Sequence, residues 1–287
     1  MKKYLLIALA LLVAACEKPV FDEDIVSMKE ANVILHMTQY EKESFGTRAA
    51  IDITELCSRL NVAIFDADGN KVKTVAQKEG DASYGTVALT LAAGTYQLVV
   101  IAHNGEGSAT ITSTEKLTFP NDKVTDTFYY YGDLIVTSEV QSYDLTLTFA
   151  VAMFRLVLTD EDIPSTVSKF KFYYTGGSST LSPSAGYGYV NSKQTEIRTV
   201  APGVTTFDIF TLPHTENDVL TLLTVTALDA NDNTVKERIF ENVPVTRNQI
   251  TRYTGSFFGS GGSGQTSDGT FRLTTNPDWG SVNDYTF

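Results

Sequence analysis

A succession of short runs rich in β-branched and aromatic residues, separated by turns bearing Asp, Asn and Gly, constrains this chain more than any other feature. Leu60-Asn61-Val62-Ala63-Ile64-Phe65 enters Asp66-Ala67-Asp68-Gly69-Asn70 and returns through Lys71-Val72-Lys73. That is hairpin chemistry, because Gly accepts positive φ and Asp or Asn side chains bond the backbone of their own turn. Val87 to Leu91 alternates, Ala93-Gly94 turns, and Tyr96 to Ala102 returns as a near-continuous apolar run. Such a run suits a strand buried on both faces at the centre of a sheet. Asn32 to Thr38, Thr127 to Thr137 and the long stretch Tyr143 to Thr159 complete a first series. Helix-forming stretches are scarce, so the pattern predicts an all-β protein.

A second series follows over Lys169 to Tyr174, Thr205 to Leu212, Leu220 to Leu228, Val235 to Val245 and Gln249 to Phe258. The length suits two domains of ordinary size, read as 31–150 and 151–287, with Val151 to Leu158 carrying the chain across. Aligned on their turns, Val62 to Lys73 and Val225 to Lys236 share Val, Asp, Ala, Asn, Val and Lys, which hints at two domains of similar topology. Gly259-Ser260-Gly261-Gly262-Ser263-Gly264 has linker composition, and Thr270 to Thr275 beyond it is a last strand candidate. A strand on such a leash either closes its own sheet after a long loop or pairs with another subunit.

The N-terminus carries a secretory signal over residues 1–15. Lys2 and Lys3 precede the apolar run Tyr4 to Val13, which is too short for a membrane span, and small residues follow. Val13-Ala14-Ala15-Cys16 resembles the bacterial lipobox, which implies that Cys16 carries fatty acyl chains such as palmitate and becomes the mature N-terminus. At about 0.8 kcal/mol per buried CH₂, two or three chains on one Cys would hold the protein at a membrane almost permanently. Residues 16–30, with Pro19 and the acidic Asp22, Glu23 and Asp24, read as a flexible tether.

Chemistry-bearing motifs are sparse. A formal charge of -12 argues against nucleic-acid binding, which needs clustered Lys and Arg. His36, His103 and His214 show no ligand spacing, so no metal and no cofactor are expected. Asp66-x-Asp68-x-Asn70 imitates the start of a calcium loop, but Lys71 stands where the invariant Gly belongs and Gln77 where the bidentate Glu belongs; the Asp229 turn fails likewise at Thr234 and Phe240. No nucleophile elbow or phosphate loop occurs, and no carboxylate pair stands out for glycoside hydrolysis, so no catalytic residue is assigned and the chain is not read as an enzyme. With Cys16 consumed by lipid, Cys57 is a lone thiol in an apolar stretch, expected to be buried and inert. Tyr129-Tyr130-Tyr131, Phe172-Tyr173-Tyr174 and Tyr187-x-Tyr189 suit core or cross-strand packing, with sugar stacking as the alternative.

Taken in order, these segments resemble a known family, the fimbrillin-related proteins of Bacteroidales type V pili and especially the fimbrillin-A-associated anchor group. The residues that carry the resemblance are the lipobox with Cys16, Leu60 to Phe65 with its Asp-rich turn, Leu91-Ala92-Ala93-Gly94-Thr95-Tyr96 and Phe128-Tyr129-Tyr130-Tyr131-Gly132. Val245-Thr246-Arg247-Asn248-Gln249-Ile250-Thr251-Arg252-Tyr253-Thr254-Gly255 and Trp279 extend it over nearly the whole mature chain. The resemblance implies two tandem transthyretin-like β-sandwich domains and assembly with pilin subunits by strand exchange, in which main-chain hydrogen bonds supply affinity and alternate side chains supply register.

In shaft subunits of that family a protease cuts after an Arg and removes the N-terminal strand. Arg48, in Gly46-Thr47-Arg48-Ala49-Ala50, stands where that cut would fall. An uncut chain keeps its strand and its lipid and becomes the anchor of a fibre on the outer membrane, which is the favoured reading. A cut chain becomes a polymerising shaft or tip subunit. A surface glycan-binding lipoprotein, using Tyr130, Tyr173, Tyr187 or Tyr189, and a hydrolase with convergent carboxylates are the readings from other classes. Host protein or glycan contacts would be made through the assembled fibre.

Overall fold

The computed structural model describes residues 30–40, 51–259 and 281–287. Within them the chain is all-β, and its one α-helix is the short turn Ile53–Leu56, where the Asp52 carboxylate accepts from Thr54 N at 2.9 Å. The first ten strands are β1 (Val33–Tyr40), β2 (Ile51–Asp52), β3 (Arg59–Phe65), β4 (Lys71–Lys78), β5 (Thr86–Leu89), β6 (Gly94–His103), β7 (Thr110–Ser113), β8 (Lys116–Thr118), β9 (Thr127–Val136) and β10 (Gln141–Phe149). The second ten are β11 (Ala152–Leu158), β12 (Lys169–Gly177), β13 (Thr180–Ser182), β14 (Tyr187–Gly188), β15 (Ser192–Thr199), β16 (Thr206–Thr211), β17 (Asp218–Leu228), β18 (Thr234–Val245), β19 (Gln249–Gly255) and β20 (Ser281–Thr286).

In the first half, β9, β6, β3 and β4 form an antiparallel array in that order. Facing it, β1 lies between β5, to which it is antiparallel, and β10, to which it is parallel. The two layers join where Thr148 and Phe149 of β10 pair with Tyr129 and Phe128 of β9. Leu60, Val62, Leu98, Val100, Phe128, Leu147 and Phe149 fill the space between them, with the Phe128 and Phe149 rings 4.4 Å apart.

The second half repeats these pairings strand for strand. β15, β12, β17 and β18 form one sheet, and β11 lies between an antiparallel β16 and a parallel β19 in the other. β11 thus stands where β1 stands, and β19 where β10 stands. Phe154, Phe170, Phe172, Phe240 and Tyr253 make an aromatic core, with Phe154 5.5 Å from Tyr253 and Phe170 4.7 Å from Phe207. β20 has no counterpart in the first half: it adds a further parallel strand on the free side of β19.

Several sequence expectations are refined. Tyr143 to Thr159 is two strands, because Ala150 and Val151, both wholly buried, turn the chain from the first core into the second. β19 stops at Gly255, short of Phe258, because the Asp160 carboxylate accepts from Ser256 Oγ at 2.7 Å, Phe257 N at 2.6 Å and Phe258 N at 3.1 Å and bends the chain inward. The last described strand is Ser281–Thr286, while Thr270 to Thr275 and residues 260–264 lie outside the described residues. The two look-alike turns are physically the same device: Asp66 holds Asp68 N, Asn70 N and Asn70 Nδ2, and Asp229 holds Asn231 N, Asn233 N and Asn233 Nδ2. Their hairpins are not equivalent, however, since β17–β18 occupies the place of β6–β9 and not that of β3–β4. The repeat of turn residues reflects shared hairpin chemistry, while the repeat of topology lies elsewhere.

Two small hairpins tie the halves together. β7–β8 is inserted between β6 and β9, β13–β14 between β12 and β15, and β8 pairs with β13 to make a four-stranded sheet shared by both halves. Leu181 of β13 is wholly buried within the first core. Arg247 Nη1 donates to Tyr129 Oη at 3.1 Å and to the Gly186 carbonyl at 3.0 Å, and its guanidinium lies 4.7 Å from the Tyr187 ring centre. Gly186, at φ +75°, also leaves the space the Tyr129 hydroxyl occupies; a β-carbon there would collide with it.

The β7–β8 insertion also buries His103, whose Nδ1 accepts from Gly105 N at 3.0 Å and whose ring meets Phe119 edge-on at 5.6 Å. Burial, helped by the Arg59 charge, pushes the imidazole down to about 4 from 6.5. A lowered histidine adds stability in full above pH 6.5 and loses it as pH falls toward 4, because the unfolded chain takes up the proton first. Urea unfolding of the mature chain is therefore expected to lose up to about 3 kcal/mol over that window through this residue. His103→Gln should flatten that part of the profile.

Candidate functional site

The slot between β5 and β10, filled by β1, is the most constructed feature of the surface-to-core architecture. β1 is an alternating strand: Ala31, Val33, Leu35 and Met37 point inward, with exposures of 4%, 0%, 0% and 0%. Burying the three larger side chains stabilises the strand by roughly 1.5–3 kcal/mol each. Its main chain is paired on both sides, Val33 to His36 against Leu89 to Thr86 and Val33 to His36 against Gln141 to Asp144. His36 Nδ1 lies 3.3 Å from Thr86 Oγ1 across the β5 side.

After a register shift between His36 and Gln39, the strand turns toward β2, where Gln39 faces Asp52 and Tyr40 faces Ile51. β1 and β2 pair antiparallel, and Arg48 belongs to the span 41–50 between them in sequence, outside the described residues. Cys16, the signal segment 1–15, the tether as far as residue 29, and Trp279 lie outside them as well.

A second edge is covered by β20. Arg252 Nη2 donates to Asp284 Oδ2 at 2.9 Å and Arg252 Nε to Oδ1; Tyr285 stacks on Tyr253 with ring centres 4.7 Å apart and planes 15° apart. On the same face Arg155 makes a two-pronged pair with Asp208, both contacts at 2.7 Å. Register places Asp208, Arg155, Arg252 and Asp284 in one row across the four strands of that sheet.

The other residues singled out in the sequence do not converge. Cys57 is 3% exposed, and burial raises its thiol far above the usual range, so it lacks the thiolate that reactivity requires. His36 sits in the β1 slot and His103 in the first core, while His214 Nδ1 lies 2.8 Å from Asp218 and its Nε2 3.2 Å from the Val190 carbonyl. Among the described residues no three His, Cys, Asp or Glu are placed to hold a metal ion. The oxygens of Asp66 and Asp229 are engaged within their own turns, which depresses both carboxyls. The tyrosines of the sugar-stacking reading are spread over three sheets. Tyr130 packs on the first core, Tyr173 pairs between Thr195 and Thr224, Tyr187 lies under Arg247, and Tyr189 is 52% exposed. Tyr174, beside them in sequence, is a core residue donating to the Phe210 carbonyl at 3.0 Å.

The model of the family described as fimbrillin-A associated anchor proteins Mfa1 and Mfa2 matches residues 26–285, and the chain belongs to that family. This is the group that the sequence resembles, and it places the chain among the fimbrial subunits of the cell surface. Among solved structures, the fimbrial anchor protein Mfa2 from Porphyromonas gingivalis is 13% identical, with 71% of this chain and 80% of that chain covered and a TM-score of 0.40. A fimbrial assembly protein from Parabacteroides distasonis is 13% identical over 78% of this chain and 89% of that chain, with a TM-score of 0.38. No curated protein matches.

Truncating the central side chain of β1 tests the slot directly. Leu35→Ala is expected to destabilise the mature chain by about 3 kcal/mol in urea unfolding, since the flanking strands cannot collapse onto the void. A cost below about 0.5 kcal/mol, the range of surface substitutions, would contradict the buried placement of this strand.

Proposed function

We propose that this chain is a lipid-tethered anchor subunit of a type V fimbria, with two domains over residues 31–150 and 151–287 that each form a transthyretin-like sandwich. Cys16 carries the lipid that holds it in the outer membrane, exposed at the surface, and residues 16–30 are the tether. β1 remains in its own slot and the peptide after Arg48 remains uncut, so the chain ends a fibre and does not extend one. The observation that carries the reading is β1 itself, an N-terminal strand paired on both edges with Val33, Leu35 and Met37 at 0% exposure. A strand held that way completes the sheet and leaves no unpaired groove to seed aggregation.

The partner under this reading is a pilin subunit, which meets the anchor by strand complementation: backbone hydrogen bonds give affinity and alternate pockets give specificity. No enzyme activity, cofactor or metal enters. The second reading, a shaft or tip subunit cut after Arg48, is favoured by one observation, that Arg48 falls in the span joining two paired strands, where a cut would separate β1 from the body covalently. A glycan-binding lipoprotein has less support, because the candidate tyrosines are scattered.

Intact-mass analysis of protein purified from the native outer membrane separates the two fimbrial readings. A lipid-modified species beginning at Cys16 is expected; a lipid-free species beginning at Ala49 would replace the anchor with a polymerising subunit. Cys16→Ala is expected to release the protein, with any attached fibre, into the medium, measured by immunoblot of cell and supernatant fractions. Retention on cells would sink the lipid anchor.

A further inference from the structure

We propose that Asn32 is the register pin of the β5–β10 slot, and that the slot is specific for a strand carrying a carboxamide at this position followed by apolar residues at the next, third and fifth positions. The proposal rests on reading the slot as a site of strand complementation. Asn32 touches both walls at once. Its backbone N donates to the Leu89 carbonyl at 3.0 Å on the β5 side, and its carbonyl accepts from Gln141 N at 2.9 Å on the β10 side. Its side chain then makes a second pair of bonds, Nδ2 to the Leu91 carbonyl at 2.8 Å and Oδ1 from Leu91 N at 2.9 Å.

A side-chain carboxamide presents one donor and one acceptor in the geometry of a peptide group. Here it takes the place of a ladder rung and carries the β1–β5 pairing two residues past Leu89, to Leu91. A slip of one residue would point Val33, Leu35 and Met37 outward, and the pin would lose its partner as well. Asp cannot replace it, because a carboxylate offers no donor to the Leu91 carbonyl and would place two acceptors together.

The same code excludes this chain's own C-terminal strand. If Asn283 of β20 is set on the pin, Asp284 falls where Val33 lies at 0% exposure and Thr286 where Leu35 lies. Shifting β20 by one residue puts Ser281, Asn283 and Tyr285, or Val282, Asp284 and Thr286, on the inward face. Each register buries a carboxylate or an unpaired carboxamide, which costs several-fold more than the apolar contact it replaces. β20 instead suits the edge it occupies, where Asp284 meets Arg252 and Tyr285 meets Tyr253. By this code β20 does not replace β1, and copies of this chain do not extend one another through this slot by way of β20.

The test uses the mature chain with a site-specific protease sequence inserted between residues 41 and 50, so that β1 can be cut free while still seated. A fluorescent peptide of residues 28–40 is exchanged in, and unlabelled peptides compete. The Asn32→Ala peptide is expected to need roughly tenfold more than wild type for half-displacement, the loss expected for two net hydrogen bonds. Asn32→Asp should compete no better than the alanine peptide, and a peptide of residues 279–287 should not compete. Equal competition by the wild-type and alanine peptides would overturn the pin while leaving strand exchange standing. Failure of the wild-type peptide to enter would overturn strand exchange itself and the proposal with it. In the uncut chain, hydrogen exchange at the Leu91 amide should quicken about tenfold in Asn32→Ala; an unchanged rate also overturns the pin.

Discussion

The arrangement depends on one strand completing a sheet from its middle. β1 is neither an edge nor a terminal flourish: β5 and β10 are not paired to each other and meet only through it. Its three buried side chains join the two layers of the first core, and its main chain satisfies both flanking strands. A sheet interrupted there would expose two rows of unpaired backbone groups and an apolar trough, the condition that folded proteins avoid most consistently. The strand is held by pairing and packing, and its covalent link to the body runs through the span 41–50. Those two facts together make it the place where assembly chemistry could act.

The repeated topology sharpens the contrast between the halves. β11 occupies the second half's version of the same slot, yet it follows β10 after only Ala150 and Val151, both wholly buried. The second half differs again at its far edge, where β20 covers β19 through an ion pair and a stacked tyrosine pair, interactions that favour one register over its neighbours.

The shared sheet of β7, β8, β13 and β14 binds these halves into one body. Each half contributes one hairpin, inserted at a different point of the repeated topology, and Leu181 and Arg247 seat against residues of the first half. Lys123 adds an ion pair to Glu196 at 2.9 Å across the same boundary, partly exposed and so worth little alone. The hydrophobic and backbone contacts dominate because they exclude water.

How much of this was legible depended on range. Strands such as Arg59–Phe65, Gly94–His103 and Thr234–Val245 declared themselves because alternation and turn residues are local signals. The break at Ala150 was hidden in a continuous apolar run. The four short strands of the shared sheet were invisible because segments of two to four residues carry too little pattern, and β8 and β13 meet only across some sixty residues of chain. Asn32 reads in sequence as the first residue of a strand, Asn32 to Thr38; only the approach of Leu91 makes its amide a rung. The sequence by itself determined the β class, the Asp66 and Asp229 turns, and the two faces of the strands whose side chains alternate, since these follow from side-chain period and backbone preference. Tertiary structure alone decided which strand fills which slot, for pairing partners are chosen by shape and hydrogen-bond satisfaction across the chain, which no local pattern encodes.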